Sequence, residues 1–139
     1  MSGDLPEFYF RIRENGAVVF RVDTENRQRR IDMEEIAMVN VKNGNIKPHG
    51  ETKLTPEETA AIKDWLVART ALLARRDIDD IHRAVDYMNL TTQWVQTRAS
   101  DEQLEDVTDT LLLAMHDLRT VLVRRKAERL TKDMDSRET

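Results

Sequence analysis

Residues 78–130 contain two runs in which apolar residues recur three and four positions apart, and this spacing limits the possible folds more than any other feature of the chain. A helical period of 3.6 residues places such positions along one side of an α-helix. We therefore predict two helices that fold back on each other as an antiparallel hairpin. The first seam consists of Ile78, Ile81, Val85, Met88, Thr92 and Val95, and the second of Leu104, Val107, Leu111, Ala114, Leu118 and Val121.

A further helix is predicted before this hairpin. Thr55 suits the N-cap, Pro56 the first helical position, and Glu58 the third position of a capping box. The apolar side of this helix contains Ile62, Trp65, Leu66, Leu72 and Leu73. After this helix the apolar positions shift to a different side of the helical wheel. Two arginines then precede three aspartates within residues 75–80, an order that suits the end of one helix and the start of the next. We therefore expect the helix to end there and a separate helix to begin. One kinked, continuous helix is the alternative.

The last helix is predicted to begin at Ser100, where Gln103 completes a second capping box. It should end near Lys132, which leaves residues 133–139 as a frayed tail. A helix of that size is ~45 Å long, and a small domain is about 30 Å across. This helix should therefore project from the domain or lie along a copy of itself.

Residues 8–22 alternate between apolar and polar side chains around Glu14-Asn15-Gly16, which predicts a β-hairpin. A three-residue loop at 14–16 would place Gly16 in the left-handed conformation. It would also pair Phe10 with Phe20, so that apolar residues face apolar residues. We therefore expect this register rather than the one given by a two-residue Asn15-Gly16 turn.

Residues 23–30 are polar and are expected to form a connection. Residues 31–41 are compatible with a helix or a strand; we predict a short helix or turn, a strand near 38–42 and a return strand near 45–47. An Asn43-Gly44 turn would set Val41 opposite Ile46. The sequence thus predicts an α+β fold in a single domain, 1–139, with a β-rich subregion at 8–47 and a three-helix subregion at 55–132.

Composition excludes several classes of function. The chain has no cysteine, so disulfides, thiolate catalysis and cysteine zinc sites are excluded. The N-terminal residues lack the pattern of a signal peptide, and no apolar run approaches the roughly 20 residues of a membrane span. We therefore expect a cytoplasmic protein. The formal net charge of −4 argues against a general nucleic-acid binder.

The predicted helices carry more apolar surface than one hairpin buries. Tyr87, Leu90 and Trp94 lie nearly opposite the first seam, and Leu112 and Val123 flank the second. Either the middle helix packs on neighbours along both sides, or the extra patch meets a second subunit. Together with the length of the last helix, these five residues predict an interface of a homo-oligomer, most simply a dimer.

Two groups of acidic residues suggest metal sites. Asp79, His82 and Asp86 share one helical face and are weak candidates for metal ligands. Carboxylates at helical spacing also hold Mg²⁺ in helical nucleotide hydrolases, and a comparable group here is Glu102, Glu105, Asp106 and Asp109. A solvated acidic face explains the first group and the helix macrodipole explains the second, without any metal.

Basic clusters suggest a nucleic-acid surface. Tyr9 is expected to share the outer face of the β-hairpin with Arg11, Arg13 and Arg21. The connection that follows contains Arg27, Arg29 and Arg30, and the last helix contains Arg124, Arg125, Lys126 and Arg129. Charged edge strands that prevent aggregation, and basic residues at a helix C-terminus, account for the same residues structurally.

No phosphate-binding glycine loop or catalytic triad is recognisable, and the sequence predicts no cofactor. We therefore expect a non-catalytic protein-interaction or regulatory module that self-associates through its helices. A different protein is a possible further partner. Nucleic-acid binding through the basic hairpin face is the first alternative. A metal-dependent helical hydrolase is the second.

Overall fold

The computed structural model describes residues 5–23 and 31–138. Four strands form one antiparallel sheet in the order β1-β2-β3-β4, and two helices follow. The elements are β1 (Phe8–Arg13), β2 (Gly16–Val22), β3 (Met33–Asn40), β4 (Ile46–Pro48), α1 (Pro56–Thr97) and α2 (Asp101–Glu138). The α+β class is confirmed, but the prediction of three helices is wrong. The polar connection expected at 23–30 lies outside the described residues from position 24 onward.

Residue contacts divide the chain into two compact units, Met1–His82 and Arg83–Thr139. The first unit contains the sheet and α1 as far as His82. The second contains the rest of α1 together with α2. None of the described helices is long and apolar enough to cross a membrane.

The β1–β2 hairpin has a two-residue loop, because Arg13 pairs with Gly16 and Phe10 pairs with Val19. The predicted three-residue loop, and its pairing of Phe10 with Phe20, are therefore wrong. Gly16 does not adopt the left-handed conformation, which among the described glycines occurs at Gly44 and Gly50. A Cβ atom at Gly16 would lie 1.9 Å from the carbonyl oxygen of Val39. Glycine is required here because β2 and β3 approach each other closely.

The core of the first unit lies between one face of the sheet and α1. Buried residues of β2, β3 and α1 form it: Ala17, Val19, Ile36, Ala37, Val39 and Ile62. Phe10 of β1 stacks on Trp65 of α1, with ring centroids 4.7 Å apart and nearly parallel planes. The predicted pairing of Phe10 with Phe20 would place Phe20 on this face. Because β2 is apolar on both sides, hydrophobic alternation could not distinguish the two registers.

Strand β3 spans residues for which a short helix or turn was expected. Val39 pairs with Ile46, where the sequence suggested Val41. The side chain of Asn40 accepts hydrogen bonds from the backbone N–H groups of Lys42, at 2.8 Å, and Asn43, at 3.3 Å. This side-chain turn competes with the tighter Asn-Gly turn and lengthens the loop. Gly44, at a φ of 74°, completes it.

Helix α1 is continuous over 42 residues, so the predicted break at 75–80 is wrong and the continuous alternative is observed. No glycine or proline interrupts the helix after Pro56. Arg75 and Asp79 are four residues apart, a spacing at which opposite charges stabilise a continuous helix. The charge pattern that suggested two helix ends is therefore equally compatible with one helix.

Helix α2 begins as predicted. The backbone N–H of Gln103 donates to Ser100 Oγ at 3.1 Å, and the N–H of Ser100 donates to Gln103 Oε1 at 3.0 Å. The helix continues through Glu138, beyond the end expected near Lys132. The tail predicted to fray at 133–139 is thus helical as far as residue 138.

The N-terminus of α1 is fixed to the sheet by an ion pair between the buried Glu58 and the partly exposed Arg21. Glu58 is 4% exposed, and its Oε1 accepts a hydrogen bond from the N–H of Thr55 at 3.0 Å, as the capping box predicted. Its Oε2 accepts from Arg21 Nε at 2.8 Å and from Nη2 at 2.5 Å. Arg21 Nη1 also donates to Glu34 Oε2 at 2.9 Å. One carboxylate therefore joins α1 to β2, and through Arg21 to β3.

These contacts determine the charge state of Glu58. Burial by itself raises the pKa of Glu58, but the hydrogen bonds from Thr55 and Arg21 lower the pKa by more, so it lies below its ordinary value. The hydrogen bond to Glu58 raises the pKa of Arg21. Both side chains are therefore charged at neutral pH.

We predict that Glu58→Gln lowers the free energy of unfolding by about 1–3 kcal/mol, because the amide keeps an acceptor for Thr55 but loses the charged hydrogen bonds with Arg21. Urea titration followed by circular dichroism measures this. Glu57→Gln is the matched control: it removes an exposed carboxylate from the same helical turn and should cost less than about 1 kcal/mol. Equal losses for the two variants would contradict the role of the ion pair.

The stability contributed by Glu58 should depend on pH. A carboxyl whose pKa is lowered by folding contributes fully above its unfolded value of about 4.3, and the contribution is lost as the pH falls through the folded pKa. The difference in unfolding free energy between the wild type and Glu58→Gln should therefore be complete at pH 7 and shrink below about pH 4. Urea titrations from pH 7 to pH 3 test this, and a difference that grows on acidification would contradict it.

Candidate functional site on the helical hairpin

The second unit is a helical hairpin with a short reversal, as the two seams predicted. The backbone N–H groups of Arg98 and Ala99 both donate to the carbonyl oxygen of Trp94 at 2.9 Å and end α1. Ser100 then caps α2. The chain therefore reverses within three residues, which brings the last turns of α1 and the first turns of α2 side by side.

The hairpin buries little of its apolar surface. Among residues 83–137 none is buried, and the half-buried residues are Thr91, Trp94, Ala99, Leu104 and Val107. All five lie near the reversal. Away from it, the side chains of both helices in this unit are exposed. The sheet unit has a closed core, whereas the described part of the hairpin unit has none.

An open groove of about 610 Å³ lies between the two helices near the reversal. It is lined by Tyr87, Leu90, Thr91, Trp94, Arg98, Asp106, Val107, Thr110 and Leu111. Its surface is mainly apolar, and the side chains of Arg98 and Asp106 carry opposite charges. The chemistry of the groove therefore suits an apolar group better than a polar one.

The groove brings together three of the predicted interface residues, Tyr87, Leu90 and Trp94. They lie on the side of α1 that faces α2, whereas the sequence placed the first seam there. That seam is exposed as well: Val85 is 48% accessible, and Tyr87 and Leu90, at 73% and 61%, are more exposed still. Trp94 lies next to the reversal, and its large ring can bury more apolar area against α2 than valine can. The other two predicted interface residues, Leu112 and Val123, lie on α2 outside this groove and are exposed.

The middle of α2 is apolar over most of its circumference, and His116, Asp117 and Thr120 occupy the remaining side. We call residues 111–123 the α2 girdle. Its large exposed apolar side chains range in accessibility from 37% at Leu111 to 68% at Leu113, and are Leu111, Leu112, Leu113, Met115, Leu118, Val121, Leu122 and Val123. Successive positions are about 100° apart, so most of these residues form one wide face of the helix, and Leu113 lies on the side of Asp117 and Thr120. An apolar face of a helix is normally packed against a neighbour, and the described part of the chain does not cover this one.

The candidate metal ligands do not form a metal site. Within residues 5–23 and 31–138, no three His, Asp or Glu side chains are grouped so that they could hold a metal ion. Asp79, His82 and Asp86 lie along the exposed part of α1. In the first turns of α2, Glu102, Glu105 and Asp106 surround a shallow depression together with Gln103.

The candidate nucleic-acid residues are divided between two faces of the sheet. The face that is turned away from the core contains every second residue of β1, namely Tyr9, Arg11 and Arg13. There the ring centroids of Tyr9 and Phe20 are 6.2 Å apart, and the Arg11 guanidinium lies 4.4 Å above the Phe20 ring.

Arg21 is on the opposite face, where it binds Glu58 and Glu34. This placement corrects the prediction that it shares the outer face with Tyr9. Arg27, Arg29 and Arg30 lie outside the described residues. The basic surface is therefore smaller on the described sheet than the sequence suggested.

Sequence reasoning did not assign Arg98, Asp106 or Thr110 to the groove. A signal was present, because Arg98 follows Trp94 by four residues and therefore lies on the same side of the helix. Val107 and Leu111 were assigned to the second seam, and the same side of α2 lines the groove.

No protein-family model matches this chain, and comparisons with curated proteins and with solved structures also find no match. The proposals below therefore depend on the geometry and chemistry of this chain.

Proposed function

We propose that this protein is a non-catalytic interaction module that self-associates through its helical hairpin. The observation that carries the proposal is the exposure of the α2 girdle. Fully burying one leucine or valine side chain contributes about 1.5–3 kcal/mol. A single chain would leave eight large apolar side chains of the girdle substantially in water. Association that buries even part of this surface is strongly favourable.

The length of α2 supports the same proposal. A helix of 38 residues is ~57 Å long, and helices in water depend mainly on the packing of an apolar face. Among residues 101–137 of α2, for which burial is described, only Leu104 and Val107 are half-buried. A packed partner along the rest of the helix would supply the missing stabilisation.

A second copy of the chain is the simplest partner. Two hairpins related by a two-fold axis would supply four helices, each with an apolar seam, around a common core. The exposed first seam of α1, with Ile81 at 61% accessibility, would be covered in the same assembly. Because each copy contributes the same surface, no other molecule is needed to bury it.

We predict that Leu118→Glu weakens self-association at least about 100-fold, because it places a carboxylate in the middle of the buried girdle. Sedimentation equilibrium over a range of concentrations measures the dissociation constant. Val67→Glu is the matched control: Val67 is also an exposed apolar residue, at 72% accessibility, but it lies on α1 outside the hairpin unit. Its variant should associate as the wild type does.

A wild-type chain that remains monomeric at high micromolar concentration would contradict the proposal. Equal weakening by both variants would contradict the assignment of the interface to the girdle. Far-ultraviolet circular dichroism during a urea titration reports whether each variant stays folded.

A further inference from the structure

The charges of α2 are separated along its length. Residues 101–109, the acidic segment, contain five carboxylates and no basic residue: Asp101, Glu102, Glu105, Asp106 and Asp109. Residues 124–132, the basic segment, contain five basic residues and one carboxylate, namely Arg124, Arg125, Lys126, Glu128, Arg129 and Lys132. One continuous helix therefore carries opposite charge on the two sides of its middle, and beyond the basic segment Asp133, Asp135 and Glu138 outnumber Arg137.

The charged side chains of both segments are exposed. In the basic segment Glu128 lies 3.2 Å from Arg125 and 3.9 Å from Arg124, measured between carboxylate oxygens and guanidinium nitrogens. These are contacts of exposed side chains within a single helix, and such contacts contribute little to stability. The basic segment keeps a clear excess of basic groups that can attract a second chain.

The α2 girdle lies between the two segments and is centred on Asp117. The middle of the acidic segment, at residue 105, and that of the basic segment, near residue 128, are almost equally distant from this centre. With a rise of 1.5 Å per residue, each lies ~17 Å from it along the helix axis. A half-turn about an axis that is perpendicular to the helix and passes through the centre of the girdle therefore exchanges the positions of the two segments.

This inference rests on the proposed self-association and specifies its geometry. We propose that α2 pairs with α2 of a second copy in antiparallel orientation, about a two-fold axis near residues 116–117, so that each acidic segment lies along the basic segment of the other copy. The two girdles then cover each other. The parallel arrangement would cover the girdles as well, but it would set five carboxylates beside five carboxylates and the basic segments beside each other. Charge therefore decides the orientation.

Distances between labelled positions test the orientation directly. The chain has no cysteine, so single thiols can be introduced at Glu102→Cys and at Lys132→Cys. In the antiparallel pair these two positions are neighbours across the interface, whereas two copies of residue 102 are ~44 Å apart along the axis. A short bismaleimide should therefore join the two variants in a mixture and should not join Glu102→Cys to itself.

Charge reversal tests whether the charges of the two segments cause the antiparallel orientation. Reversing the acidic segment by Glu102→Lys, Glu105→Lys and Asp109→Lys should weaken self-association at least about tenfold. Reversing the basic segment by Arg124→Glu, Arg125→Glu and Arg129→Glu should do the same. An equimolar mixture of the two variants should recover an affinity close to that of the wild type, since each restores what the other lacks. High salt should reduce all of these differences.

The outcomes separate this inference from the proposed function. A monomeric wild type contradicts self-association itself. A wild-type dimer in which Glu102→Cys cross-links to itself, or whose affinity is unchanged by either charge reversal, contradicts only the antiparallel arrangement. Circular dichroism confirms that each variant keeps its helices before its association is compared.

Discussion

The buried carboxylate of Glu58 holds the sheet unit together. It belongs to the capping box that starts α1, and the same group binds the Arg21 guanidinium from β2. Breaking such a pair leaves a charge with reduced access to water, which is costly. The start of α1, the orientation of Ile62 and Trp65 towards the sheet, and the position of Arg21 therefore depend on one another.

The two units bury their apolar side chains to different degrees. In the sheet unit, Val19, Ile36 and Ile62 are fully enclosed. In the hairpin unit, apolar residues are as regularly spaced but largely exposed, as Leu118 and Val85 show. Burial of apolar area is the main favourable contribution to folding and to association alike. This contrast between the two units is the basis of both proposals.

The acidic and basic segments of α2 illustrate how separate sequence features gain meaning from geometry. At the level of sequence, the carboxylates near residue 105 suggested metal and the arginines near residue 125 suggested phosphate. On one continuous helix they become opposite ends of a single surface, separated by the apolar girdle. Complementary charge can then select the orientation of a partner, which neither cluster could do by itself.

The sequence by itself determined the α+β class, both capping boxes and the helical hairpin, because these features depend on local spacing and local hydrogen bonds. It also identified Tyr87, Leu90 and Trp94 as surplus apolar residues. The tertiary structure decided the strand register, since β2 is apolar on both sides and only close packing against Val39 requires Gly16. It decided that Arg21 binds Glu58, a contact between residues 37 positions apart in sequence. It also decided which side of α1 faces α2. Both the first seam and the side with Trp94 are apolar, and packing beside the reversal favoured the side with Trp94.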